Sequence, residues 1–284
     1  SDQNWMGQNL KVTHYNNGDE IPNITNNGDW TSLLTGAYGD YDNNPTHSET
    51  YGRLYNWYTV DDARGICPEG FLVPTDDEIK ELEIALGMSE SEANNAGYRG
   101  TNEGSKLAGN ADLWNDGALI QNAEFGSSGF NALPSGYRKW DNGNYDVMGH
   151  GVYFWSSTDG SDDAWTRRLY STTLNVRRYP SNKSFGHSIR CLEDESILGC
   201  TDESSCNFDA DATDDDGSCY YPSGCDEVCD SELEFDECEV CGGENDCVWF
   251  EDHVISNSSD GANSVNAADV DGDGDMDILS SSFN

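Results

Sequence analysis

Four groups of residues in this chain have the types and spacing to do chemistry. The sharpest is Asp269-Val270-Asp271-Gly272-Asp273-Gly274-Asp275-Met276-Asp277, with aspartates at positions 1, 3, 5 and 9 of a loop and Gly274 at position 6. Alternate carboxylates at that spacing converge on one hard cation, and the glycine permits the turn. Calcium held by Asp269, Asp271, Asp273 and Asp277 is the expectation. Ser280 stands where an EF-hand would have its glutamate, and no flanking helices are evident. A second acidic run supplies Asp209, Asp211, Asp214, Asp215 and Asp216 as weaker calcium ligands, the alternative being a solvated acidic linker with no specific ion.

The third group is sulfur. Eight cysteines, at 200, 206, 219, 225, 229, 238, 241 and 247, fall within 48 residues, and two more stand at 67 and 191. An even count packed into a short acidic stretch reads as a disulfide framework formed in an oxidising compartment. Cys238-x-x-Cys241 also has zinc-ligand spacing, but a second such pair is missing. Eight cysteines allow 105 pairings, and spacing does not choose among them.

The fourth group is basic and aromatic. Eight of the 14 Lys and Arg lie between Arg138 and Arg190, interleaved with Trp140, Tyr145, Tyr153, Trp155, Trp165, Tyr170 and Tyr179. Arginine and aromatic rings anchor binding surfaces, so Arg138, Trp155, Trp165, Arg167, Arg177 and Tyr179 are the ligand-binding candidates. Strand alternation places Arg167 and Arg177 on one face and Arg168 and Arg178 on the other. The competing reading pairs these arginines with local Asp159, Asp162 and Asp163.

Signs of catalysis are absent. The five histidines show no HExxH or HxxxH spacing, Ser156 and Ser157 are not in a GxSxG elbow, and Asp61-Asp62 reads as a solvated helix end. The expectation is a protein that is not an enzyme.

The elements that position these groups divide the chain in three. Residues 1–194 are aromatic-rich, 195–247 are rich in Cys and Asp, and 248–284 return to strand-like patterning. Thr75-Asp76-Asp77-Glu78 is a capping box ahead of Ile79, Leu82 and Leu86, with Gly87 as a stop. A second helix is predicted from Arg53 to about Asp62. Short strands follow: Val152–Trp155, then a hairpin of Ala164–Tyr170 and Asn175–Tyr179. Two early helices followed by loop-rich antiparallel sheets give an α+β layout.

Charge sharpens the division. The formal net charge is -40, yet every Lys and Arg lies at or before Arg190; from Cys191 onward there are 28 acidic residues and no Lys or Arg. That balance argues against nucleic acid as a partner and for divalent counter-ions. No stretch approaches membrane-spanning length, so no membrane insertion is expected. The chain opens without a signal peptide and ends within what reads as a repeat, so the natural protein is expected to be longer.

Six motifs in the first region occur in an order that resembles a known family: Trp5-Met6-Gly7-Gln8-Asn9-Leu10, Tyr51-Gly52-Arg53-Leu54-Tyr55-Asn56-Trp57, Cys67-Pro68-Glu69-Gly70-Phe71-Leu72-Val73-Pro74-Thr75, Gly129-Phe130-Asn131-Ala132-Leu133-Pro134-Ser135-Gly136-Tyr137-Arg138, Trp155-Ser156-Ser157-Thr158 and Ser188-Ile189-Arg190-Cys191. They resemble the Fibrobacter succinogenes major paralogous domain. The resemblance implies a C-type-lectin-like head of the formylglycine-generating-enzyme branch, on secreted or lipid-anchored bacterial proteins, and a Cys67–Cys191 disulfide. Trp114-Asn115-Asp116 matches part of a lectin sugar site, but its proline tripeptide partner is missing. The cysteine segment resembles modules of secreted Bacteroidetes proteins, and the final loop resembles an FG-GAP or VCBS repeat.

Together these readings predict a secreted or cell-surface bacterial protein for adhesion or recognition. Its lectin-like head would bind an extracellular protein or glycan, and copies of itself are a further partner. The alternatives are a structural subunit of an extracellular filament or sheath, and a formylglycine-enzyme-like oxidase.

Overall fold

The computed structural model describes residues 3–244 and the strands Ala262–Ala268 and Asp277–Ser282. Contacts divide the chain into two units, Ser1–Glu195 and Ser196–Asn284.

The first unit is mixed α+β. Among the described residues one α-helix exceeds two turns, α1 (Asp76–Ala85), and six others run four to seven residues. The capping box does start α1: the Thr75 hydroxyl accepts from the Glu78 N–H, and the Glu78 carboxylate accepts from the Thr75 N–H. The helix predicted from Arg53 to Asp62 is shorter. Leu54–Tyr55 form a strand paired with Tyr38–Gly39, and only Trp57–Val60 are helical. The reason is tertiary: the Asn56 side chain accepts from the Ala37 N–H and donates to the Thr35 carbonyl, tying the segment to a neighbouring strand where a helix would have begun.

The largest sheet has four antiparallel strands, β1 (Gly97–Arg99), β2 (Gly151–Asp159), β3 (Asp163–Tyr170) and β4 (Val176–Asn182), in the order β1-β4-β3-β2. Both faces are partly covered. Val152, Phe154, Leu169 and Val176 project into one apolar cluster with Leu107 and Leu119. Trp155 and Ala164, on the opposite face, join Leu10, Tyr55, Trp57 and Ile189 in another. The Cys67–Cys191 bridge lies in that second cluster and closes a span of 124 residues.

The second unit is held by disulfides. Cys200–Cys219, Cys206–Cys229 and Cys225–Cys241 are bridged, and Cys238 is also disulfide-bonded. Cys247 lies outside the described residues. The last two strands, β5 (Ala262–Ala268) and β6 (Asp277–Ser282), pair antiparallel, with Ala268 opposite Asp277. No helix among the described residues is long and apolar enough to cross a membrane.

Candidate functional site

The β3–β4 hairpin carries four arginines, and its register decides what each can do. Arg167 stands opposite Arg178, and Arg168 opposite Arg177. Directly opposed residues share a face. The expected grouping of Arg167 with Arg177 is therefore wrong, because antiparallel pairing matches an odd position here with an even one. Two arginine pairs result, back to back across one sheet.

The first pair is buried and neutralised. Its row runs Phe154, Arg167, Arg178, Gly97 across the four strands. Helix α1 lies over it and presents Asp76 and Glu83, seven residues apart and so on one helical face. Arg167 Nη1 reaches Asp76 at 2.7 Å and its Nε reaches Glu83 at 2.9 Å; Arg178 Nη2 reaches Asp76 at 2.7 Å. Arg99 pairs with the other Glu83 oxygen, and Lys80 adds a 3.1 Å contact to Asp76. Burial would raise the Asp76 carboxyl, but the hydrogen bonds from Arg178 and the charge of Arg167 hold it well below the ordinary range. Burial prevails at the other two groups, pushing Glu83 up and pulling Arg99 down to about 10.

The second pair has no such partners. Its row runs Tyr153, Arg168, Arg177, Tyr98, one residue from each strand. Arg168 stacks over Tyr170 at 4.2 Å and over Tyr153 at 5.5 Å; Arg177 stacks over Tyr179 at 4.5 Å and over Tyr98 at 5.5 Å. Among the described residues, every other arginine has a carboxylate or a hydrogen-bond acceptor, whereas Arg168 and Arg177 have neither. The Arg168 Nε is sealed from solvent without a hydrogen-bond partner. Tyr98 is 50% exposed, so this end of the row is open, while Tyr153 at the other end is buried. Like charges directly opposed on a sheet are destabilising. Two unit charges ~6 Å apart repel by about 3 kcal/mol at an effective dielectric of ~20, and solvent at a half-buried site leaves about 1 kcal/mol or less.

Four of the six expected ligand-binding residues are placed elsewhere. Arg138 is buried: its guanidinium donates to the carbonyls of Gly143, Ile24 and Asn26 and stacks 4.3 Å over Trp30. Trp155 is buried, donating to the Tyr55 carbonyl at 2.8 Å. Arg167 is 3% exposed within the Asp76–Glu83 network. Trp165 lies on the same face as Arg167, with Arg178 stacked over it at 3.6 Å. Arg177 and Tyr179 remain, joined by Arg168, Tyr170 and Tyr98. The reading by local pairing also needs correction, since Arg167 and Arg178 find their acid 91 and 102 residues away, while Asp159 pairs with Lys183.

The acidic run of the second unit does not converge. Asp209 accepts from the Asp211 N–H, Asp215 from the Gly217 N–H and Asp216 from the Ser218 N–H, while Asp214 accepts from the Thr213 hydroxyl. The Asp209, Asp215 and Asp216 carboxylates are thus each engaged in a local turn. Among the described residues no group of three His, Cys, Asp or Glu is placed to hold a metal ion. Asp269, Asp271 and Asp273 lie outside the described residues, as does most of the strand-like stretch expected over 248–284.

A disulfide-stapled α+β head with buried arginine networks, followed by a disulfide-rich segment, is the class of protein this geometry defines. The head matches the Fibrobacter succinogenes major domain over residues 1–193, and the chain belongs to that family. Its motif residues Arg138 and Arg190 are both buried. Arg190 donates to the carbonyls of Met6, Phe130 and Asn131 and to the Asn9 side chain, so these arginines tie distant segments of the head together. No curated protein and no solved structure matches the chain.

Proposed function

We propose that this chain belongs to a secreted bacterial surface protein that acts by recognition, with a C-type-lectin-like head that binds an extracellular glycan or protein. The observation that carries the reading is the second arginine pair. In a chain of net charge -40, two opposed arginines have no carboxylate among the described residues, are framed by tyrosines, and sit half-buried on a sheet face that is open at its Tyr98 end. A fold that neutralises its other arginine pair with two acids leaves this one for something else. Catalysis has less support. Cys67 and Cys191, the head's two cysteines, are bonded to each other, which leaves no head thiol for an oxidase of the formylglycine-enzyme type.

The disulfide-rich unit serves as the spacer in this reading. In this reading calcium is held by Asp269, Asp271, Asp273 and Asp277, in the stretch of sequence from the residue after β5 to the first residue of β6. The ion would neutralise part of a segment that has no base of its own.

The test is binding of the whole chain to arrays of extracellular glycans and proteins, beside a variant carrying both Arg168→Gln and Arg177→Gln. Binding that the double replacement abolishes is the expected result. Binding that survives it unchanged, or none at all, would sink the reading.

A further inference from the structure

Resting on that recognition reading, we infer that the ligand of the second face is a sparsely charged acidic glycan, one whose sugars bear carboxylates on an otherwise neutral scaffold. Three observations combine. First, Arg168 and Arg177 stand directly opposite each other and lack acidic partners among the described residues. Two guanidinium forks side by side offer donors to one planar carboxylate, which would relieve their mutual repulsion. Second, no hydrogen bond or ion pair engages the Arg168 guanidinium; its Nε is sealed inward, and the half-buried remainder of the group is what a ligand would meet. Third, tyrosine rings flank the pair along both strands and across the sheet: Tyr170 and Tyr179 two residues away on β3 and β4, and Tyr98 opposite Arg177 on β1. Strands lie about 4.8 Å apart, so Tyr98 and the two arginines span roughly 10 Å of flat surface. Aromatic platforms beside cations suit a sugar acid, whose apolar ring face packs on tyrosine while its carboxylate meets guanidinium.

Charge chooses between an acidic glycan and an acidic protein. Residues 1–190 themselves carry 26 acidic residues against 14 basic ones, so they repel a densely anionic partner whose charges reach past the arginine row. Beyond roughly 8–10 Å that field is screened at physiological salt, and only the local positive row is felt. A ligand with isolated carboxylates feels the row without meeting the full repulsion of the chain.

The experiment is calorimetric titration of the whole chain with three probes: a hexasaccharide carrying one galacturonate among neutral sugars, neutral maltohexaose, and poly-glutamate. The acidic hexamer is expected to bind, with at least tenfold loss of affinity in either Arg168→Gln or Arg177→Gln, and the other two probes are expected to bind at least tenfold more weakly. Thermal unfolding of each variant confirms that it is folded. Equal binding of maltohexaose, lost on either arginine replacement, would overturn the acidic class and leave the recognition face standing. Tighter, arginine-dependent binding of poly-glutamate would overturn the glycan in favour of an acidic protein. Failure of the galacturonate-bearing hexasaccharide to bind would overturn the inference as well; the recognition reading then stands or falls on the arrays.

Discussion

The two faces of the β1-β4-β3-β2 sheet carry the same motif with opposite consequences. On one, Arg167 and Arg178 are opposed, buried, and bound to Asp76 and Glu83 from helix α1. On the other, Arg168 and Arg177 are opposed and stacked on tyrosines, with no acid among the described residues. A buried charge left without its partner is strongly destabilising, so the first pair is fixed by the fold. The second pair is only half-buried, so the fold tolerates it without requiring it. Residue type says little about role here; a helix supplying two carboxylates to one face and none to the other says much.

The largest effects should come from the first row. Asp76→Asn leaves Arg167, Arg178 and Lys80 facing a neutral group and should destabilise the head by about 3–5 kcal/mol, read by chemical denaturation. A loss under about 1 kcal/mol would break the contrast. Arg167→Gln should fall in the same range, since it strips partners from both Asp76 and Glu83.

Acid should come next. Full burial among Tyr153, Trp155 and Phe185 pulls His187 down to about 3. The unfolded chain, with an imidazole near 6.5, takes up that proton first. Stability is then fully present above about pH 6.5 and is lost as pH falls toward 3, by about 3 kcal/mol at pH 4. Asp76, held low, adds a loss that begins near the unfolded value of about 3.9 and deepens below it. Glu83 works the other way, because protonation relieves a buried charge. The net expectation is a falling melting temperature from pH 7 to pH 3; a flat profile would contradict the burial of His187.

Smaller again is calcium. Chelation with EDTA should lower the melting temperature of the second unit and leave that of the head unchanged, as seen by calorimetry of the whole chain. No shift on chelation would count against the terminal loop as a calcium site.

Much of this was legible in the sequence, though unevenly. Helix α1 announced itself through Thr75 and Glu78, because a capping box is local. The hairpin was readable from its strand residues, and the head disulfide from resemblance to a family. Register was not readable: where β3 and β4 pair is set by the turn and by burial, and one residue of slip exchanges the faces. The burial of Arg138, Arg167 and Arg190 was hidden for a related reason. Each has acceptors far along the chain: Ile24 and Asn26 for the first, Asp76 for the second and Met6 for the third, all 91 or more residues away. Tyr98 escaped notice because β1 is three residues long and joins the sheet only through β4. The basic and aromatic cluster was a sound signal, but most of it marks the interior of the head.

The most direct test is the unfolding free energy of the chain with Arg168→Gln and Arg177→Gln combined, measured without ligand beside the parent chain. If the second pair is kept for a ligand, relief of the repulsion offsets most of the lost guanidinium–tyrosine stacking, and the double replacement costs no more than about 1 kcal/mol. A loss of 2 kcal/mol or more would show that the pair serves the fold, as its counterpart on the other face does.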